Sequence, residues 1–333
     1  TLEQFHKSYP RAKELFALKD KVDPHYRFRN QLWKKYYDSN TDLDLFGDRD
    51  NINSEFLSVY NNRVLRDKFY LFLQNIYGIY PDLKFHMQII EVCEKFETDE
   101  HIYQALVNSL PDLKTPGSDL FYALPALRKQ KKEIQKQTSV LLPVNHKING
   151  YLEIGSTGRY VKSLKKVFDF KGPVFLTNDF QPTYSASDLM ERGRITKIGK
   201  FFDLDNYVPI SQIVSDQSLD LVTCYIGLHH CPLDRLAPYL ASINRVLRPG
   251  GHFILRDHDA TTAEMKTFCS LVHTVFNAGF GVSWEENASE FKSFNSIDHW
   301  INEVCNAGFS VTESRLLQKN DPSINTMVLF SKL

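Results

Sequence analysis

The residues of this chain best able to do chemistry fall at the ends of short apolar runs. The first set is Glu153-Ile154-Gly155-Ser156-Thr157-Gly158-Arg159, directly after Tyr151-Leu152. Glycine lets a backbone turn sharply and lets a ligand approach it closely. A helix starting behind such a turn offers N–H groups that have no partner in the helix. Asp179 and Asp203 close two later runs, PVFLTND and KFFD. A carboxylate at such a place accepts hydrogen bonds from hydroxyl or amino groups. Further on, His229, His230 and Cys231 follow LDLVTCYIG, and Asp257, His258 and Asp259 follow HFILR. If those two runs are neighbouring strands, these side chains gather at one strand end. Metal binding, proton transfer and pocket lining are all open to such a set.

The elements that must position them change character along the chain. From Asn145 on, apolar runs alternate with helical patterns. YLEIG, PVFLTND, SLDLVTCYIG and HFILRD read as buried strands, and VKSLKKVF, LMERG and LAPYLASINRVL between them as helices. That alternation predicts a parallel sheet covered on both faces. The last runs, GFSVTESRLL and TMVLFSKL, are separated only by KNDPSIN, so they read as a hairpin with an antiparallel final strand. Alternation along a strand would point Asp257 and Asp259 to one side and His258 to the other. Residues 51–142 are helical in pattern: Phe56, Val59 and Tyr60 recur at helical spacing, as do Phe69, Phe72, Leu73 and Ile76, with breaks at Tyr80-Pro81 and from Pro111 to Gly117.

The glycine turn resembles motif I of class I S-adenosylmethionine-dependent methyltransferases, acidic-x-Gly-x-Gly-x-Gly. Here the middle glycine is replaced and the last comes one position early. INRVLRPGGHFIL (243–255) is similar to the helix, Pro-Gly-Gly turn and fifth strand of that family, and is the most specific match in the chain. The resemblance spans about residues 145–333. It implies a Rossmann-like seven-stranded α/β sheet with a terminal antiparallel hairpin, behind a helical N-terminal domain. It also implies S-adenosylmethionine as cofactor and S-adenosylhomocysteine as product. By the same resemblance Glu153, Gly155, Ser156 and Gly158 belong to the cofactor loop, Asp179 to the ribose hydroxyls and Asp203 to the adenine amino group. Leu204 would lie beside the ring, and Tyr225 at the wall after the fourth strand. Asp257, His258 and His230 are the candidates to touch the acceptor or take its proton, and no metal is expected. The sulfonium is already a strong electrophile, so a base is needed only for an acceptor protonated at neutral pH. Residues 268–300 fall where class I enzymes often place acceptor contacts, with His273, Asn277, Trp284, Glu285 and Glu286 as candidates; plain packing is the competing reading. A nicotinamide-binding domain also uses a glycine-rich turn and a later acid. The glutamate before Gly155, the Arg-Pro-Gly-Gly turn and the final hairpin oppose it.

Residues 9–37 have another flavour. Leu18, Lys19, Asp23, Pro24, Phe28, Asn30 and Leu32 resemble the C-terminal tail of flavin-dependent aldonolactone oxidases. This implies three segments: an oxidase-tail-like stretch at 1–40, a helical cap at 41–143 and the methyltransferase domain at 144–333. It also implies a fused or associated flavin oxidase as a possible partner. A non-catalytic cofactor-binding module of such a fusion is the alternative function, kept open by the irregular motif I. Without an initiating Met the chain reads as a fragment or a processed piece.

Composition narrows the rest. Forty basic residues against forty acidic ones leave no surplus of the kind a non-specific nucleic-acid binder needs. No apolar run approaches the ~20 residues of a membrane span. Five scattered cysteines without a CxxC pair read as free thiols in a reducing compartment, so a cytoplasmic protein is expected. The acceptor is expected to be a small molecule or a protein. The basic run LRKQKKEIQKQ (127–137) reads as a solvated helix face.

Overall fold

The computed structural model describes residues 2–22, 53–113, 122–225 and 227–333. Two short helices come first, α1 (Leu2–Ser8) and α2 (Ala12–Val22), with Phe5 and Phe16 stacked. Leu18 and Lys19 of the oxidase-like stretch lie in α2; Asp23, Pro24, Phe28, Asn30 and Leu32 lie outside the described residues.

A helical unit follows: α3 (Glu55–Asn61), α4 (Arg63–Phe72) running into a π turn (Leu73–Tyr77), α5 (Asp82–Lys95), α6 (Asp99–Leu113) and α7 (Ala123–Leu141). Their starts have local causes. Ser54 and Asn62 accept from the N–H groups of Leu57 and Leu65, capping α3 and α4. Asp99 at the start of α6 accepts from Ser54 Oγ at 2.5 Å and from the N–H of Glu55 at 2.8 Å, which ties two helix N-termini together. Gly78 ends the π turn in a left-handed conformation, φ +57°, and a Cβ there would lie 2.7 Å from Ala126 Cβ. So α7 can cross closely only over glycine.

Seven strands then form one sheet: β1 (Lys147–Ile154), β2 (Asp169–Asn178), β3 (Lys200–Asp203), β4 (Leu219–Cys224), β5 (Leu247–His258), β6 (Phe309–Leu317) and β7 (Asn325–Lys332). Their order is β3-β2-β1-β4-β5-β7-β6. The first five strands pair in parallel and β7 is antiparallel to both neighbours, as the sequence pattern predicts. The intervening helices are α8 (Val161–Leu164), α9 (Ala186–Arg192), α10 (Leu233–Val246), α11 (Ala263–Phe280), α12 (Trp284–Ser289) and α13 (Ile297–Asn306). The helix expected over 161–168 stops at Leu164, where N–H groups of residues 166 and 167 bond three residues back and turn the chain into β2.

Three apolar clusters hold these parts. One sheet face packs Leu152, Val222, Phe253 and Trp300 beneath α10 and α13. The other packs Tyr151, Leu176, Ile254 and Tyr225 beneath α7. The third joins α3–α6 to α11: Phe56, Phe69, Phe72 and Phe85 meet Phe268, Leu271, Val272 and Val275. The helical unit therefore completes its core with a helix from beyond β5, and the boundary drawn at 143 in the sequence runs through shared packing. Tyrosines stitch that seam: Tyr77 donates to Val275 O at 3.2 Å and Tyr103 to Val282 O at 2.8 Å. Glu55 accepts from Ser270 Oγ at 2.5 Å, and burial pushes its carboxyl above the usual range.

Gly279 on α11 marks how tight the seam is, because a Cβ there would strike the Tyr77 hydroxyl. Alanine normally stabilises a helix over glycine by about 1 kcal/mol. Gly279→Ala is expected to reverse that sign and destabilise the chain by about 1–3 kcal/mol, measured as the urea midpoint at unchanged m-value.

Candidate active site

The glycine turn is built from inside. β1 delivers Glu153 fully buried, where an uncompensated carboxylate would cost several kcal/mol. It accepts from Tyr151 OH at 3.0 Å, Tyr160 N–H at 3.2 Å and the Ser156 hydroxyl. Ser156 Oγ in turn accepts from the N–H groups of Gly158 and Arg159, both at 3.0 Å. Gly155 (φ +77°) donates to Thr177 O of β2 at 2.8 Å, and Gly158 (φ +99°) sits against Leu176 and Ile198. Glu153 and Ser156 were expected to touch the cofactor. In the structure their polar atoms face each other inside the loop and hold its shape. Burial nonetheless pushes the Glu153 carboxyl upward, against the pull of its donors.

Arg159, where the usual motif has glycine, pairs with Glu191 at the end of α9. Lys131 of α7 donates to Met190 O at 3.3 Å and to Glu191 O, so this lysine of the basic run caps a helix C-terminus. Burial, then the neighbouring Arg159, lowers Lys131 to about 8.

Asp179 and Asp203 stand exposed just past β2 and at the end of β3, and Asn178 pairs with Asp203 in register. Partial screening of its carboxyl from water, joined by Glu290, raises Asp179, and His230 opposes that rise. Leu204 is buried and donates to Asn178 O at 3.1 Å. Asp205, Asn206 and Tyr207 are then all left-handed, φ +46°, +51° and +63°. Each such non-glycine residue costs of order 1 kcal/mol and persists only where the surroundings impose it. Here Arg235 donates to the carbonyls of Asp205 and Asn206, and Tyr207 OH to Gly227 O. These bonds fix the turn that follows Asp203. The strained turn left no signal in the sequence.

Tyr225, expected at the cofactor wall, packs under α7. Its ring is edge-on to Tyr160 at 5.0 Å and its hydroxyl lies 3.0 Å from Thr138 Oγ1. Strand alternation puts it on the same face as Leu221, toward α7.

The histidines do gather. His229 and His230 lie in a 3-10 turn (Leu228–His230) after β4. Asp257 is 1% exposed at the end of β5 and accepts from His229 Nδ1 at 2.6 Å, from His229 N–H at 3.2 Å and from His258 N–H at 2.7 Å. Burial raises Asp257 to about 6, and burial together with the neighbouring rings holds His229 well below the usual histidine value. His258 lies 2.7 Å, through Nδ1, from Ser323 O and 3.4 Å, through Nε2, from His273 Nε2. His230 Nδ1 lies 3.2 Å from Phe291 O and 3.2 Å from Glu290 Oε1. Asp257 and His258 thus reach one cluster from opposite sides of the strand.

Neighbouring candidates have structural work. Asp259 accepts from the N–H of Ile297 at the start of α13, and burial raises Cys231 to about 12. Asn277 donates to Asn287 and Glu290 at 2.9 Å, Trp284 packs on Tyr103, and Glu285 and Glu286 are exposed. His273 alone of that group enters the cluster, and only the fold of α11 over β5 could show it. A groove of about 390 Å³ along the α3–α11 seam shares Phe294 with the histidines and is otherwise lined by Glu55, Ser270 and Lys292 among others.

Residues 190–255, from α9 to β5, match the family described as "Methyltransferase domain". No curated protein matches the chain. Among solved structures, the chain is similar to a 1,6-didemethyltoxoflavin-N1-methyltransferase of Burkholderia thailandensis: 14% identity, 70% of this chain and 89% of the other covered, TM-score 0.41. An S-adenosylmethionine-dependent methyltransferase from Mesorhizobium loti shows 14% identity over 62% and 96% of the two chains, TM-score 0.41. A complex between the Haloferax volcanii Trm112 methyltransferase activator and a methyltransferase gives 15% identity over 63% and 93%, TM-score 0.43. Likeness at that level adds nothing to the strand order seen in the chain itself. Among the described residues no helix is long and apolar enough to cross a membrane.

The lowered Lys131 makes a pH test. Between pH 8 and the ordinary lysine value of 10.5 the unfolded chain binds more protons at this group than the folded one. Its contribution to stability therefore rises with pH across that window. Relative to Lys131→Met, the wild type is expected to gain stability from pH 8 upward, read as the difference in urea midpoints; a flat difference contradicts the assignment.

Proposed function

We propose that this chain transfers a methyl group from S-adenosylmethionine to a small-molecule acceptor. One observation carries the reading. A glycine turn after β1 and exposed carboxylates after β2 and β3 share the carboxyl edge of a sheet ordered β3-β2-β1-β4-β5-β7-β6, where ligands sit in open α/β folds. The residues fit the cofactor: Gly155 and Gly158 keep the turn low, Asp179 accepts the ribose hydroxyls, and Asp203 accepts the adenine amino group with Leu204 beside the ring. Thr157 Oγ1 adds a buried oxygen without a partner in the same turn. S-adenosylmethionine supplies the electrophilic methyl; the protein supplies alignment and exclusion of water.

The acceptor side is the histidine cluster. The link is electrostatic, since His230 and Glu290 both act on Asp179. A small acceptor suits this place, because His229 is buried and the Phe294 ring lies tilted beside it at 5.0 Å. Asp257 acts through His229, which it orients, and His258 acts through His273. Partnership with a flavin oxidase rests on the resemblance of residues 9–37 alone.

A second reading is a non-catalytic cofactor-binding module. The observation favouring it is that Ser156 takes the N–H groups of Gly158 and Arg159 and that the Arg159–Glu191 pair closes beside them.

Calorimetric titration with S-adenosylmethionine and S-adenosylhomocysteine tests both. Micromolar binding is expected, weakened at least about tenfold in Asp179→Ala, the value of a charge-assisted hydrogen bond. Absence of binding to folded wild type overturns both readings. Binding without methyl loss across a panel of small nucleophiles favours the second.

A further inference from the structure

We propose that His229, His230 and His273 form a binding site for a divalent transition-metal ion of the zinc class, with Asp257 as its orienting carboxylate. One ring nitrogen from each histidine lies within 4.8 Å of the others. Ring centroids are 4.3 Å apart for His229–His230, 4.7 Å for His229–His273 and 5.1 Å for His230–His273. Tetrahedral zinc, with bonds of about 2.0–2.1 Å, sets its nitrogens about 3.3 Å apart. Small side-chain rotations close that difference.

Proton placement argues for the site independently of proximity. A carboxylate or carbonyl oxygen only accepts, so the ring nitrogen facing it carries the hydrogen. His229 Nδ1–H points at Asp257, leaving Nε2 with its lone pair; that atom is buried and has no partner. His230 Nδ1–H points at Phe291 O and Glu290, leaving Nε2. His258 Nδ1–H points at Ser323 O, so its Nε2 accepts from His273 Nε2–H and leaves His273 Nδ1. Each of the three rings thus has one nitrogen fixed as donor by an outer partner and the other left with its lone pair, and that of His229 is buried without a partner. Metal-binding imidazoles are arranged this way.

Three imidazoles leave a fourth position open, the donor set of a catalytic rather than a structural zinc site. On the methyl-transfer reading, that position would hold an oxygen, sulfur or nitrogen of the acceptor, and the ion would lower the acceptor's pKa. The binding claim itself does not depend on that reading, and it is tested without cofactor.

The full chain, stripped with chelator and gel-filtered after exposure to zinc sulfate, is assayed for metal by mass spectrometry. About one zinc per chain is expected, with a rise in Tm on zinc addition. His229→Gln and His273→Gln should lose both, and Asp257→Asn should bind about 10- to 100-fold more weakly. His230→Gln, at the partly exposed rim, keeps the test decisive if the buried variants do not fold. Folded wild type that retains no zinc overturns the proposal. So does zinc uptake that survives in the folded histidine variants, which would place the ion on the cysteines. Co²⁺ titration, read as visible absorption intensity, is expected to show a four-coordinate site lost in the same variants.

Discussion

Two carboxylates buried at strand ends govern the rest of this structure. An ionised carboxylate taken out of water costs several kcal/mol unless donors meet it. Glu153 at the end of β1 and Asp257 at the end of β5 are both essentially without solvent contact. The chain around each is bent to supply donors. Around Glu153 those are a tyrosine hydroxyl, a serine hydroxyl and the N–H that opens α8, and the glycine turn takes its shape from them. Around Asp257 they are the imidazole and N–H of His229 and the N–H of His258, which lock the turn after β4 to the end of β5. Removing either acid would strand donors as well as lose an anion.

The antiparallel insertion of β7 between β5 and β6 has a chemical consequence as well as a topological one. It brings the loop before β7 to the carboxyl end of β5, where Ser323 O meets His258. That contact sets the tautomer of His258, and through it that of His273 on α11. The hairpin therefore reaches the proposed acceptor side through a hydrogen-bond chain.

Helix α11 joins both halves of the molecule. One face carries Phe268, Leu271 and Val275 into the helical unit, while His273 enters the cluster above β5. The close approach at Gly279 leaves the helical unit little freedom to slide along it.

Much of the frame was legible in the residues. Alternating apolar and helical runs announced a parallel sheet, and KNDPSIN between the last two runs announced the antiparallel hairpin. Glycine at 155 and 158 marked the turn because side chains at those φ values are strained. These signals are local: periodicity, turn chemistry and strand length act over a few residues, so sequence carries them. What a buried polar side chain faces is decided by distant segments. Tyr225 read as a wall residue, yet it turns under α7 because Thr138 lies there to receive its hydroxyl. Glu153 and Ser156 read as ligand contacts, yet they satisfy each other. His273 was one candidate among several in a helical stretch, until the packing of α11 set it against His229, His230 and His258. The sequence by itself determined the order of elements and the edge on which chemistry must lie. Only the tertiary structure decided which polar atoms are already satisfied and which remain bare, because that depends on partners contributed by residues far away in the chain.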